Sequence, residues 1–179
     1  MRIIGGTHRG RRIQAPKNLP IRPTTDFAKE GLFNVLHHKI VIDGLNVLDL
    51  FGGSGNMSYE FASRGAIEVL AVDINAQCVR FINQAANSFS FKTVKAIKSD
   101  VFKFISKSTY QFDLIFADPP YKMDSFDELP DLILTSTLLK KDGLLIIEHP
   151  REVDFSNHAS YEQMKTYGNV NFTFFQHRS

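Results

Sequence analysis

The sequence predicts an α/β fold: a doubly wound, mostly parallel sheet that ends in an antiparallel C-terminal hairpin. Three observations carry this. From Leu45 to Glu148, short apolar runs alternate with stretches of helical spacing, the pattern of repeated βα units. The runs stop in succession at the glycine-rich Phe51–Gly55 and at Asp73, Asp100 and Asp118, polar positions of the kind found at the ligand edge of open α/β sheets. Near the C-terminus, two alternating segments flank the tight-turn pair Gly168-Asn169.

Taken in order, residues 1–15 are expected to form a small β-hairpin: Arg2-Ile-Ile, a turn through Gly5-Gly-Thr-His-Arg-Gly10, then Arg11-Arg-Ile-Gln14. Pro16, Pro20 and Pro23 mark an extended connection. Thr24 or Thr25 caps a helix from about Asp26 to His38, with Phe27, Leu32, Val35 and Leu36 at partly helical spacing. Strand Asn46–Leu50 enters the glycine turn, and a helix follows near Met57–Arg64. Strand Glu68–Val72 precedes a helix over Ala76–Ser88. Strand Thr93–Lys98 precedes a short helix reaching about Lys107. Strand Phe112–Ala117 ends at Asp118-Pro119-Pro120-Tyr121. A helix near Leu129–Thr135 leads to strand Gly143–Glu148, after which His149-Pro150 reads as a turn. The closing hairpin spans Tyr161–Thr166 and Asn171–His177. The expected division is a basic hairpin and connection at 1–24, and one α/β domain at 25–179.

At 179 residues the chain can bury a sizeable core, and its 43% hydrophobic and 22% charged residues exclude a disordered polymer. No apolar run approaches the roughly 18 residues of a membrane span. Met1-Arg-Ile-Ile-Gly-Gly6 lacks the apolar stretch of a signal peptide. Cys78 is the single cysteine, expected as a buried helix residue, and no Cys/His cluster has zinc spacing. A cytoplasmic protein without a metal is therefore expected. The net charge of +2 is unevenly spread: residues 1–30 hold seven basic and two acidic side chains, +5, leaving −3 for the rest. A basic end on a mildly acidic body suits an anionic partner such as nucleic acid, or is a solvated basic tail.

Val47-Leu-Asp-Leu-Phe-Gly-Gly-Ser-Gly55 runs a strand into a turn whose glycines let backbone approach a ligand. The third glycine of the dinucleotide pattern is absent, which disfavours a nicotinamide-dependent oxidoreductase, and Asp49 ahead of the turn would repel a phosphate. An acid there suits a ligand with an amino group, such as the methionine part of S-adenosylmethionine. Asp73, followed by Ile74, can take both hydroxyls of a ribose. Asp100, followed by Val101, either accepts from an adenine amine or caps the next helix. The Asp118-Pro119-Pro120-Tyr121 turn is a stiff, acceptor-rich edge beside a flat ring, suited to a planar base with an exocyclic amine.

With these residues in view, the chain resembles the class I S-adenosylmethionine-dependent methyltransferases. Its proline motif resembles the Asn/Asp-Pro-Pro-Tyr/Phe motif of enzymes that methylate exocyclic or amide nitrogens. More narrowly, Arg2–Arg12, Arg22–Asn34, Leu48–Gly55, Ser63-Arg-Gly-Ala66 and the proline motif resemble the RsmD family, which methylates a guanine N2 in small-subunit ribosomal RNA. One departure is Asn56-Met57-Ser58-Tyr59, where that family usually has small or aliphatic residues and a glycine.

The resemblance implies a seven-stranded, Rossmann-like methyltransferase sheet with a small N-terminal hairpin extension. It implies that Asp49, Phe51, Gly52, Gly53, Ser54, Gly55, Asp73, Ile74, Asp100 and Val101 bind S-adenosylmethionine. Asp118, Pro119, Pro120 and Tyr121 form the catalytic set: Asp118 and the Pro119 carbonyl hold the amine, and Tyr121 stacks on the base. Arg9, Arg11, Arg12, Arg22 and Thr24 contact ribosomal RNA, in the small subunit or an assembly intermediate. Lys122–Glu128, with Phe126, is expected to form a loop over the base. The alternatives are a methylase of an amine in transfer RNA, DNA adenine or protein glutamine, and a non-catalytic RNA-binding module.

Overall fold

The computed structural model describes residues 1–17, 19, 21 and 24–176. Seven strands, β1 (Asn46–Leu50), β2 (Glu68–Asp73), β3 (Val94–Lys98), β4 (Phe112–Ala117), β5 (Leu139–Pro150), β6 (Tyr161–Tyr167) and β7 (Val170–Gln176), form one sheet in the order β3-β2-β1-β4-β5-β7-β6. The first five are mutually parallel; β7 pairs antiparallel with both β5 and β6. The chain winds outward from β1 to β3, then crosses back to place β4 on the other side of β1. That reversal opens a crevice at the carboxyl ends of β1 and β4.

Among the described residues, five α-helices cover the sheet: α1 (Asp26–Lys39), α2 (Asn56–Ser63), α3 (Ala76–Ser88), α4 (Val101–Lys107) and α5 (Leu129–Leu134). Strand side chains alternate between faces, and the core divides accordingly. Val47, Leu114, Phe116, Leu144 and Ile146 pack with α1, α2 and α3. Leu48, Leu50, Ile115, Ala117, Leu145 and Ile147 pack with α4 and α5. Both faces of the parallel strands are apolar because helices lie on both.

The expected strands and helices are present, with differences that have local causes. Strand β5 begins at Leu139, not Gly143. Lys140-Lys-Asp-Gly143 looks like a turn, and Asp142 does adopt a φ of 62°. Leu139 nevertheless pairs with Phe112 and Leu144 with Leu114, so the polar stretch bulges out of a continuing ladder. His149-Pro150 is not a turn: both residues pair with β7, and the buried His149 ring bonds to the Thr173 hydroxyl at 2.7 Å. Phe126 is not part of an open loop. It is buried against Phe155, ring centroids 6.3 Å apart. Pro20, Pro23 and His177 lie outside the described residues.

The N-terminal residues form a short hairpin: an Arg2↔Arg12 bridge flanked by Ile3 N–H to Arg11 O (2.9 Å) and Ile13 N–H to Met1 O (3.0 Å). Its tip is a 3-10 turn, Gly6–His8. The hairpin docks on α2. The Glu60 carboxylate accepts from Ile4 N–H at 3.0 Å and Gly5 N–H at 2.9 Å, and Ser63 Oγ accepts from His8 N–H at 2.9 Å. Contact is so close that a Cβ on Gly6, whose φ is +73°, would stand 1.8 Å from the Ser63 carbonyl oxygen. Ile3 and Ile13 insert into the same core as Phe33 and Phe61. Beneath them Glu60 pairs with Lys29 at 3.4 Å, both side chains fully buried, and with Arg64 at 2.9 Å. Lys29 also donates to Arg2 O at 2.6 Å and Asn56 Oδ1 at 2.8 Å. Burial holds the Lys29 ammonium below its ordinary value, against the opposing pull of Glu60.

Candidate active site

A cavity of about 950 Å³ lies over the β1/β4 switch point. One side is built by the ends of β1, β2 and β3. Asp49, the second-last residue of β1, is only 2% exposed. It accepts a hydrogen bond from the Ser58 hydroxyl on α2. Burial pushes its carboxyl up to about 7, with Ser58 pulling down and Asp73 adding to the rise. Asp73, at the end of β2, accepts from Gly53 N–H at 2.8 Å and Asn75 N–H at 2.7 Å, so it ties the glycine turn to the neighbouring strand. The turn needs its glycines: Gly53 has a φ of +54°, and a Cβ on Gly52 would sit 3.1 Å from Ala71 Cβ. Phe51, Gly52, Gly53, Ser54, Ile74, Asp100 and Val101 line the cavity as well. Asp100 also caps α4, accepting from Lys103 N–H at 2.9 Å, which is the second of its two expected roles. Gly55 is not in the cavity wall. It starts α2 at a φ of +76°, where a Cβ would meet the Tyr59 ring at 2.8 Å.

The other side is built by β4, β5, the residues leading into α1 and the β6–β7 turn. Asp118, Pro119, Pro120 and Tyr121 all line the cavity directly after β4. Asp118 N–H donates to Leu50 O at 3.3 Å, and Pro120 O accepts from Met123 N–H at 2.9 Å, which closes the proline turn. Thr24 stands in the wall, its hydroxyl donating to Glu148 Oε2 at 2.8 Å. Thr25, not Thr24, caps α1, accepting from Ala28 N–H at 3.2 Å. The exposed Arg9, Arg11 and Arg12 sit on the docked hairpin, outside the cavity wall; Arg22 lies outside the described residues.

Several wall residues escaped the sequence reading: Phe27, Asn56, Glu148 and Tyr167. Asn56 is wired into the wall: its Nδ2 donates to Thr24 O at 3.1 Å and its Oδ1 accepts from Lys29. Cys78 is buried on α3 as expected, at the cavity wall. Among the described residues, no group of three or more His, Cys, Asp or Glu side chains is placed to hold a metal ion, and no helix is long and apolar enough to cross a membrane.

Asp49 gives a testable linkage. Its folded carboxyl titrates near 7, above its ordinary value of 3.8, so the folded state binds the extra proton in between. Its contribution to stability is therefore full below about pH 4 and is lost as pH rises through 7. Asp49→Asn removes a buried ion without changing shape. The variant should gain on the order of 2–4 kcal/mol relative to wild type on going from pH 5 to pH 8, read from denaturant unfolding at both pH values. An offset independent of pH would show that Asp49 does not titrate in this range.

The comparisons with known proteins agree with this geometry. The family described as Conserved hypothetical protein 95 matches residues 1–176. The Bacillus subtilis (strain 168) protein YlbH is 34% identical over 158 residues, 86% of this chain and 85% of that one. The Escherichia coli (strain K12) protein named "Ribosomal RNA small subunit methyltransferase D" is 28% identical over 148 residues, 83% of this chain and 74% of that one. A solved structure of the Thermus thermophilus hypothetical protein TTHA0928 superposes with a TM-score of 0.85 at 26% identity, covering 98% of each chain. A T. thermophilus 16S rRNA N2 G1207 methyltransferase, solved with AdoMet and guanosine, shares the fold at a TM-score of 0.72 and 20% identity, covering 87% of this chain and 44% of that one.

The residues here fit the methyl donor of that fold. Asp49 is a buried carboxyl group whose ionised form an ammonium group would stabilise, the Gly52–Gly53 turn lines the cavity without side chains, and Asp73 is an acceptor for hydroxyl donors. Matched along nearly all of its length, this chain belongs to the Conserved hypothetical protein 95 family, the RsmD family of S-adenosylmethionine-dependent methyltransferases.

Proposed function

We propose that the protein transfers a methyl group to the exocyclic N2 amine of a guanine in small-subunit ribosomal RNA. One observation carries this reading: the Asp118-Pro119-Pro120-Tyr121 turn faces the Asp49 and Gly52–Gly53 turn across the switch point, within a single cavity. The names of the relatives supply the RNA class.

When bound, S-adenosylmethionine supplies a methyl group on a positively charged sulfur. The Asp49 carboxylate would take the methionine ammonium, the Gly52–Gly53 backbone would line the donor's pocket, Asp73 would accept from the ribose hydroxyls and Asp100 from the adenine amine. The acceptor amine is a weak nucleophile, because its lone pair is delocalised into the ring. The Asp118 carboxylate and the Pro119 carbonyl accept its two N–H groups, which aims the lone pair and favours a tetrahedral nitrogen. Tyr121 stacks on the base and fixes its plane. Once methylated, the nitrogen is acidic, and Asp118 is placed to receive its proton. The target base has to be unpaired or flipped out to enter.

Arg9, Arg11 and Arg12 are exposed basic residues of the hairpin docked on α2. Replacing all three with glutamine should weaken RNA binding and flatten its salt dependence by about two log–log units, at roughly 0.7 per phosphate contact on single strands. Donor affinity should not change. A triple variant with the wild-type slope on both naked ribosomal RNA and small subunits would reduce the hairpin to a solvated arm. For the substrate class itself, the protein is incubated with labelled methyl donor in the presence of ribosomal RNA, transfer RNA, DNA and protein. Label is expected in the small-subunit RNA; label confined to any other fraction overturns the proposal.

A further inference from the structure

The Asp-Pro-Pro-Tyr turn recognises an amine, and adenine, cytosine and guanine all carry one. What separates them is the ring atom beside that amine. In guanine it is N1–H, a donor; in adenine it is N1 and in cytosine N3, both bare acceptors. We propose that Glu148 reads this atom, its carboxylate accepting N1–H of the target guanine while Asp118 and Pro119 hold the N2 amine. The inference deepens the guanine reading above and rests on it.

The sheet brings the two acids together. Ala117 of β4 pairs with Ile147 of β5, so the next residues, Asp118 and Glu148, stand side by side at the carboxyl edge, on strands about 4.8 Å apart. Both line the cavity. Glu148 is 3% exposed, and its backbone is held between neighbours by pairing with Phe172 of β7. Its carboxylate is oriented by the Thr24 hydroxyl, which donates to Oε2 at 2.8 Å. Thr24 is fixed in turn by Asn56 Nδ2, 3.1 Å from its carbonyl, and Asn56 by Lys29 at 2.8 Å. A carboxylate has about four acceptor sites and no donor, so the Thr24 bond does not exhaust it. Facing guanine, it meets a second donor parallel to the amine. Facing adenine or cytosine, it meets a lone pair, so two acceptors are set against each other where guanine would place a donor. Glu148 thus supplies the discrimination that Asp118 and the prolines cannot.

The test uses Glu148→Gln, which keeps the size of the side chain but turns one acceptor into an NH₂ donor. Methyl transfer is measured to small ribosomal subunits that lack the modification, with the methylated nucleoside identified after digestion. If wild type yields anything other than N2-methylguanosine, the guanine reading fails and this inference falls with it. With that product in hand, Glu148→Gln should lower kcat/KM for subunits about 10–100-fold, the scale of a lost bidentate base contact, while donor affinity and melting temperature stay at wild-type values. A variant within about twofold of wild type, or one that loses donor affinity in step with turnover, overturns the inference and leaves the guanine reading standing. Thr24→Val provides a second arm, independent of how well Glu148→Gln folds. It should lower kcat/KM about 3–10-fold, and Thr24→Ser should restore it. A valine variant equal to wild type also counts against the inference.

Discussion

Asp118→Ala is expected to lose about 100-fold or more in methyl transfer while S-adenosylmethionine affinity stays within about threefold of wild type. The asymmetry follows from the layout of the site. The proposed donor residues come from the ends of β1, β2 and β3, whereas Asp118 follows β4 across the switch point. The Pro119 carbonyl alone can take one amine hydrogen, but it leaves the nitrogen free to turn its lone pair back into the ring. Asp118→Asn sharpens the test. The amide keeps one acceptor oxygen but cannot take the product's proton, so part of the loss should persist. Isothermal titration with the donor and single-turnover transfer to small subunits separate binding from chemistry. Turnover near wild type in Asp118→Ala would make the proline turn a structural element only.

Glu60→Ala is expected to be the most destabilising single change outside the apolar core, at about 3–5 kcal/mol. Three costs coincide there. Lys29, fully buried, loses its counter-ion; Ile4 and Gly5 lose the acceptor for their N–H groups; Arg64 loses its partner. At about 2–4 °C per kcal/mol for a chain of this size, the melting temperature should fall by roughly 10 °C. The double variant Lys29→Met, Glu60→Leu should recover part of this, since an apolar pair removes the buried ions. It cannot recover the arm, because the two N–H groups still lack an acceptor. Hydrogen exchange at Ile4 and Gly5 should therefore stay fast in the double variant. A loss below about 1 kcal/mol in Glu60→Ala would mean that water enters and the pair is not buried in solution.

Much of the frame was legible in the chain. Strand Phe112–Ala117 and helix Ala76–Ser88 are read to their observed ends, because an apolar run and helical spacing mark them locally. The wall built by the ends of β1, β2 and β3 was legible for the same reason: Asp49, Asp73 and Asp100 each close or follow a strand, strand ends share one edge, and all three line the cavity. What escaped depends on contacts between distant segments. Glu148 looks like the polar end of an apolar run until β5 is set beside β4, and Thr24 reaches it from the far end of the chain. Lys29 and Glu60 sit on helices where charge ordinarily means solvent, and only the packing of α1, α2 and the N-terminal hairpin encloses them. His149-Pro150 and Lys140–Gly143 carry turn residues yet lie within β5, because pairing with β7 and β4 outweighs local preference.

The most direct measurement is the identity of the methylated nucleoside. Small ribosomal subunits lacking the modification are incubated with the protein and S-adenosylmethionine, and their RNA is digested to nucleosides and resolved by mass and retention. The account predicts N2-methylguanosine as the product, formed by wild type and absent with Asp118→Ala. Methylation of adenine, of cytosine or of a guanine ring nitrogen would contradict it.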